Sequence, residues 1–251
     1  FRGMLEGAVS FNQNIGGWDV SNSNDLSHLF SYATSFDQDI SNWNVSNVSN
    51  FERIFNDAKM KKLFVIGNPI EHSLSPKIHN YWIQKNNIDA IILPGVGAFD
   101  HAMSRIRELG MFDMLNQKAL VEEIPILGIC LGMQLMTRGS EEGEMEGFGW
   151  IPAEAQRFTE SSSLKIPHMG WNVVNSNKES ELTLGFEAET RFYFVHSYAV
   201  FSDNPNTCIL ETSYGVDFDS AIQKGQIFGV QFHPEKSHRF GAKLFRNFAN
   251  L

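Results

Sequence analysis

Two short stretches hold residue types that could do covalent chemistry together. In PILGICLGMQLM, Cys130 lies between Gly128 and Gly132, where an apolar strand gives way to a helical run opening at Leu131. In GVQFHPEKS, His233 closes an apolar strand and Glu235 stands two residues on. A cysteine at a strand-to-helix corner is the sulfur counterpart of the Gly-x-Ser-x-Gly nucleophile elbow. The corner needs small flanks, because the nucleophile's backbone is strained and its neighbours must clear helix and sheet. A thiol at a helix N-terminus beside an imidazolium is favoured as thiolate, its nucleophilic form. In an extended backbone residues 233 and 235 face the same way, so the carboxylate can fix the imidazole while His233 takes and returns a proton. Cys130, His233 and Glu235 are therefore the expected relay.

Supporting groups follow from the same geometry. The strand Ala90 to Leu93 runs into PGVGAF, where Gly95, Val96 and Gly97 offer backbone N–H groups with little obstruction. With the Leu131 amide they form a candidate oxyanion hole. Gln134 lies four residues after Cys130, one helical turn along the same face, so its amide can reach a substrate held at the thiol. The other cysteine, Cys208 in TCIL, reads as core. With no Cys-x-x-Cys and no His-Glu-x-x-His, neither a disulfide framework nor a zinc site is expected. A reducing cytoplasm fits, and no cofactor or metal is implied.

These residues need a sheet to position them. Strand-like runs at Ala90 to Leu93, Ile126 to Ile129, Phe192 to Val195 and Ile227 to Phe232 alternate with helical ones at Phe99 to Leu109 and Leu131 to Met136. That alternation predicts an α/β fold with an open sheet. The chain has 251 residues, 42% of them hydrophobic, enough for a packed core, and a formal net charge of -9. Residues 1–59 carry 3 basic and 7 acidic side chains and the remainder 17 and 22, so neither part has the surplus a nucleic-acid binder needs. No apolar run reaches the roughly 18 residues of a membrane span. The chain opens at Phe1 without a methionine, which reads as a cut, and Met60 is a candidate start.

Ahead of the sheet, SFNQNIGGWDVSN (Ser10 to Asn22) recurs as SFDQDISNWNVSN (Ser35 to Asn47), 25 residues later. Each unit has one apolar segment and one Trp among Asn, Ser and Asp, so it cannot bury its own face and must stack on neighbours. Residues 1–58 resemble the repeats of leucine-rich-repeat-like bacterial surface proteins. The resemblance implies a short solenoid fragment, either adhesive or a passive passenger, over residues 1–59. From Met60 the texture changes to MKKLFVIGNPIEHSLSPKIHNYW, which resembles the start of shikimate dehydrogenases. In that family Ser73 and Ser75 would hold a carboxylate. No Gly-x-Gly-x-x-Gly follows a strand downstream, so dehydrogenase activity is not expected.

From residue 90 to 251, LPGVGAF, LGICLGMQL, SEEG, KIPHMGWN, RFYFVHSY and GVQFHPEKS appear in this order. Together they resemble the glutaminase subunits of imidazole glycerol phosphate synthases, of histidine biosynthesis. The elbow and His-Pro-Glu are common to class I amidotransferases, while PHMGWN and FYFVHSY mark that branch. The resemblance implies a flavodoxin-like three-layer fold and L-glutamine as substrate, held by Gln134, Glu142, His196, Ser197 and Tyr198. It implies a (β/α)8-barrel cyclase partner facing Trp171 and Lys236, with ordinary core packing as the alternative for Trp171. The family's first strand, helix and second strand are missing, so the domain reads as truncated at its N-terminus. Leu63 to Ile66 is expected to take the first-strand slot, beside the strand bearing Leu93, and Pro76 to Lys85 the first helix. Two rival readings remain open: a surface-repeat interaction protein with an inert passenger, and a nonfunctional mosaic joined near 59/60 and 89/90.

Overall fold

Strands with apolar side chains on both faces need helices on both sides, and this requirement organises the molecule. The computed structural model describes residues 1–36, 90–159 and 164–251, with Gln38, Ile40, Trp43, Asn47, Val48, Asn50, Arg53, Ile54 and strand β1 (Ile66–Gly67) between them. The expected helix over 76–85, together with Ser73, Ser75 and residues 63–65, lies outside the described residues. The described pair in β1 runs parallel to β2 (Ile91–Val96), with Ile66 opposite Gly95 and Gly67 opposite Val96.

There follow α1 (Phe99–Glu108), α2 (Met111–Leu120), β3 (Ile126–Cys130), the five-residue α3 (Leu131–Leu135), β4 (Gly139–Ser140), β5 (Ala153–Arg157), β6 (His168–Val173), β7 (Asn175–Ser176), β8 (Arg191–His196), β9 (Tyr198–Ser202), β10 (Cys208–Tyr214), β11 (Val216–Lys224), β12 (Ile227–Val230) and α4 (His238–Phe248). Among the described residues, one sheet runs β1-β2-β3-β12-β11-β9-β5-β4, with β10 also on β11 and β7 on β10. The pairs β1-β2, β2-β3 and β3-β12 are parallel, while β12-β11, β11-β9 and β9-β5 are antiparallel. The open sheet expected from the sequence is thus a mixed one, and β6 and β8 form a separate antiparallel pair.

The two faces sort the strand residues by parity. Ile91 and Leu93 pack with α1 and α2, whereas Ile92, Leu127, Ile129, Phe228 and Val230 pack with α4. In α1 the buried residues are Phe99, Ala102, Met103 and Ile106, and in α4 Gly241, Leu244, Phe245 and Phe248. Both follow the i, i+3, i+4, i+7 stripe of a helix lying on a sheet.

In the N-terminal region, residues about one repeat apart bond to one another. Gly3, Leu5 and Gly7 N–H groups donate to the carbonyls of Ser27, Leu29 and Ser31, and Leu26 and Phe30 donate to Asn50 and Ile54. Trp18 stacks on Trp43 with centroids 6.3 Å apart, and Trp43 Nε1 donates to the Ile15 carbonyl at 3.0 Å. Arg105 of α1 donates to the Val48 carbonyl at 3.3 Å, so this region touches the helical layer.

Candidate active site

β3 ends and α3 begins within one residue, and Cys130 is that residue. Its φ of 55° and ψ of -112° are a conformation that side-chain-bearing residues rarely take, and strain of this kind marks functional turns. The flanking glycines are required sterically. A Cβ on Gly128 would sit 2.7 Å from the Gly132 carbonyl, and one on Gly132 would sit 1.7 Å from the Leu93 carbonyl oxygen.

His233 meets Cys130 from β12's end. The observed strand stops at Val230 rather than Phe232, and Pro234–Lys236 forms a single 3-10 turn opened by proline. The extended-backbone expectation for residues 233 and 235 is therefore corrected, since Pro234 starts a turn. The turn still delivers the carboxylate: Glu235 Oε1 lies 2.8 Å from His233 Nδ1. A carboxylate only accepts, so Nδ1 carries the proton and the other ring nitrogen is left for the sulfur. Burial works against a charge on His233, but hydrogen bonds to the Cys130 sulfur and to Glu235, with their charges, raise its pKa to about 9. The backbone is clamped as well. Ser237 Oγ donates to the His233 carbonyl at 2.6 Å and accepts from Tyr193 N–H, and His233 N–H donates to the Tyr193 carbonyl at 2.9 Å.

The register of β2 on β3 places Gly95 opposite Cys130. Beyond it Val96 is exposed, and Gly97 has a φ of 104°, which favours glycine. Gly95, Val96 and Gly97 thus turn beside Cys130, and Leu131 follows it directly. Glu142 lies at the same corner, where its Oε2 accepts from Phe99 N–H at 2.9 Å, on the first residue of α1.

Other expected substrate groups are more committed than their spacing suggested. The Gln134 amide nitrogen donates to the Tyr198 carbonyl at 3.2 Å and to Gln231 Oε1 at 3.0 Å. Both its N–H groups are engaged inside the protein, so its nitrogen reaches the thiol only through Gln231. His196 is buried, with Nδ1 2.7 Å from the Tyr198 carbonyl and Nε2 3.0 Å from His168 Nδ1. Its ring therefore faces the core, and burial lowers its pKa to about 3 and that of His168 to about 4. Ser197 lies between His196 and Tyr198 and its carbonyl accepts from Phe158 N–H.

Trp171 is 45% exposed and stacks on His238, which excludes core packing. Its neighbours Met169 and Val173 on β6 are exposed too, so three apolar side chains form one outward row. Lys236 is exposed on the 3-10 turn. Cys208 is buried on β10, and burial pushes its thiol pKa up. Sequence reasoning missed Gln231, His168 and Ser237. Gln231 had a readable signal, since it shares strand parity with His233. Ser237 had none.

A model of the family "Glutamine amidotransferase class-I" matches residues 46–251, and one described as "Mycoplasma protein of unknown function, DUF285" matches residues 1–64. The chain is 50% identical over 158 residues to imidazole glycerol phosphate synthase subunit HisH 2 of Methanococcus maripaludis, covering 63% of this chain and 78% of the relative. It is 44% identical over 163 residues to HisH 2 of Pseudomonas aeruginosa, covering 65% and 81%. A solved GMP synthase subunit structure from Thermoplasma acidophilum superposes with a TM-score of 0.52 at 18% identity, over 75% of this chain and 92% of that one. This last likeness concerns the fold alone.

Proposed function

This chain belongs to the class-I glutamine amidotransferase family, and from that premise we propose that residues 90–251 are the glutaminase subunit of an imidazole glycerol phosphate synthase. The observation that carries the reading is the contact of the Cys130 sulfur with an imidazole whose Nδ1 is held by Glu235 at 2.8 Å. Cys130 attacks the carbonyl carbon of the glutamine side-chain amide, and the negative charge moves onto the oxygen. The Leu131 N–H and the Gly95–Gly97 turn hold that oxyanion. As the tetrahedral adduct collapses, His233 gives its proton to the leaving nitrogen, so ammonia departs and a thioester remains. His233 then takes a proton from water, whose hydroxyl displaces the thiolate and yields glutamate.

Glu142, the Gln134 carbonyl oxygen and the Ser197–Tyr198 backbone are the proposed hold on the substrate. The row Met169, Trp171 and Val173, with Lys236, is the proposed docking face for the barrel-shaped cyclase that takes up the ammonia. Exposed apolar rows of this kind suit a partner surface. For residues 1–58 we read a stacked array of 25-residue units, supported by the bonds between residues one repeat apart. Residues 60–89, resembling a shikimate dehydrogenase start, supply β1 to the sheet edge.

The test is labelling by a glutamine-analogue affinity reagent, with and without the cyclase, compared with Cys130→Ala. Label on Cys130 that rises with cyclase supports the reading. Equal labelling of both proteins removes it.

A further inference from the structure

We infer that Gln231 is a sulfur-contacting residue of the amidotransferase reaction, its N–H aimed at Cys130 by Gln134 acting as a positioning residue. A glutamine amide ends in an oxygen and a nitrogen of nearly equal size, so its orientation must be argued from partners that can only donate or only accept. The Tyr198 backbone carbonyl can only accept. The Gln134 atom 3.2 Å from it is therefore the NH2 nitrogen. The second N–H of the same nitrogen points at Gln231, 3.0 Å away, which must present its carbonyl oxygen. The Gln231 NH2 is then forced to the opposite end of that amide, where the Cys130 sulfur lies 3.7 Å from it.

The anchor of this ladder is doubly fixed, because His196 Nδ1 donates to the same Tyr198 carbonyl at 2.7 Å. Gln231 is fully buried and Gln134 nearly so, so water cannot stand in for the donor. Buried polar groups left without partners are costly, which keeps the ladder in one orientation. The N–H acts twice on the sulfur. It stabilises the thiolate before attack, and again when the thiolate leaves as the thioester is hydrolysed. The titratable groups facing this corner are His233 and Glu235 from the 3-10 turn, with His196 and His168 behind them on β8 and β6. Substitutions at Gln231 and Gln134 change none of them.

The inference rests on Cys130 being the nucleophile, and the test separates the two ideas. With the full chain, the rate of Cys130 alkylation by iodoacetamide is followed by peptide mass from about pH 5.5 to 9.5. This small reagent does not use the glutamine pocket. Gln231→Met is expected to slow alkylation near neutral pH on the order of tenfold, equivalent to about one pH unit, and to recover at higher pH. Its kcat should fall by a similar factor with KM little changed. In the alkylation assay Gln134→Leu should act in the same direction but less, because for the sulfur it only frees Gln231 to turn over; its proposed hold on glutamine is read separately as a rise in KM. In alkylation the double variant should be no slower than Gln231→Met alone, since Gln134 acts on the sulfur through Gln231. An unmoved pH profile in Gln231→Met, or additive losses of alkylation rate in the double variant, would overturn the inference. Turnover retained by Cys130→Ala would instead defeat the nucleophile assignment itself. Should Gln231→Met fail to fold, Gln231→Glu keeps the volume and the acceptor for Gln134. Only its protonated form has a donor, so its deficit must deepen as pH rises, and a constant deficit overturns the inference.

Discussion

Gly132→Ala is the smallest change that separates an elbow held by backbone contact from one held by side-chain chemistry. Gly132 is the second residue of α3, and its Cβ would lie 1.7 Å from the Leu93 carbonyl oxygen and 2.8 Å from the Leu93 carbonyl carbon. Ordinary contact begins at 3.4 Å, so α3 must retreat from β2 by roughly 1.5 Å, and both sides of the clash are backbone. Inserting one carbon into a filled interior costs about 1–3 kcal/mol, and the upper end applies where no side chain can yield. For a chain of this size about 3 kcal/mol corresponds to a fall in Tm of roughly 6–12 °C. The same retreat displaces Cys130 relative to the Gly95–Gly97 turn, and a misplacement of about 1 Å can cost on the order of 100-fold in rate. The control is Gly139→Ala, whose nearest neighbour would be 3.8 Å away. Differential scanning calorimetry and glutaminase turnover, measured on both variants, decide the matter. A Gly132→Ala protein with wild-type Tm and kcat would refute the reasoning.

Glu235→Gln removes the charge that helps raise the His233 pKa to about 9, and glutaminase kcat should fall on the order of 10²–10⁴-fold. A histidine raised from its unfolded value of about 6.5 stabilises the fold fully below that pH and loses the contribution as pH rises through its folded value. The Tm gap between wild type and Glu235→Gln should accordingly be widest below pH 6.5 and close by about pH 9, and a gap that widens in alkali would contradict the assignment. His168 and His196 run the other way: lowered to about 4 and about 3, they stabilise the fold above their unfolded value and lose that as pH falls. Below about pH 6.5 each should cost up to about 1.4 kcal/mol per pH unit, and His168→Gln should flatten the acid limb of a Tm-against-pH curve. Trp171→Ala should weaken cyclase binding about 10–100-fold by titration calorimetry while leaving Tm nearly unchanged; unaltered affinity would remove Trp171 from the proposed docking face.

The sequence was most readable where structure is local. The cysteine between glycines announced its own corner, since only close backbone packing demands glycine at both 128 and 132. β2, β3 and β12 were legible because strands buried on both faces are continuous apolar runs. The antiparallel half was not. AEAQR in β5 and VDFDSAIQK in β11 mix polar and apolar residues, and α4 reads as charged outside its buried stripe. The pairing of Glu235 with His233 was legible from residue type and offset, but an extended backbone is not what achieves it. Pro234 starts a 3-10 turn, and it is the turn that brings the carboxylate round to Nδ1. Gln134 shows the opposite case. Its spacing from Cys130 is what a substrate-facing residue would have, yet its NH2 points inward, because a backbone carbonyl and a second amide take up both of its hydrogens.

Three buried histidines show how the fold assigns different tasks to one side chain. His233, His196 and His168 are all nearly inaccessible, and burial alone would keep every one neutral. What divides them is the charge of their partners. His233 has a carboxylate at Nδ1 and the Cys130 sulfur beside its ring, so its proton is held, as its proposed role of acid requires. His196 has a neutral carbonyl at Nδ1 and a second neutral ring at Nε2, so desolvation outweighs the one hydrogen bond that opposes it, to the Tyr198 carbonyl, and it stays an uncharged strut. That strut loads the Tyr198 carbonyl from one side while Gln134 loads it from the other. A charged His196 would repel the nearby His233, and the coupling between them is unfavourable in just that sense. The charge on His233 therefore adds to burial in keeping the second ring neutral, and a deeply buried pair at the back of the site is how the sheet accommodates the two rings in different states.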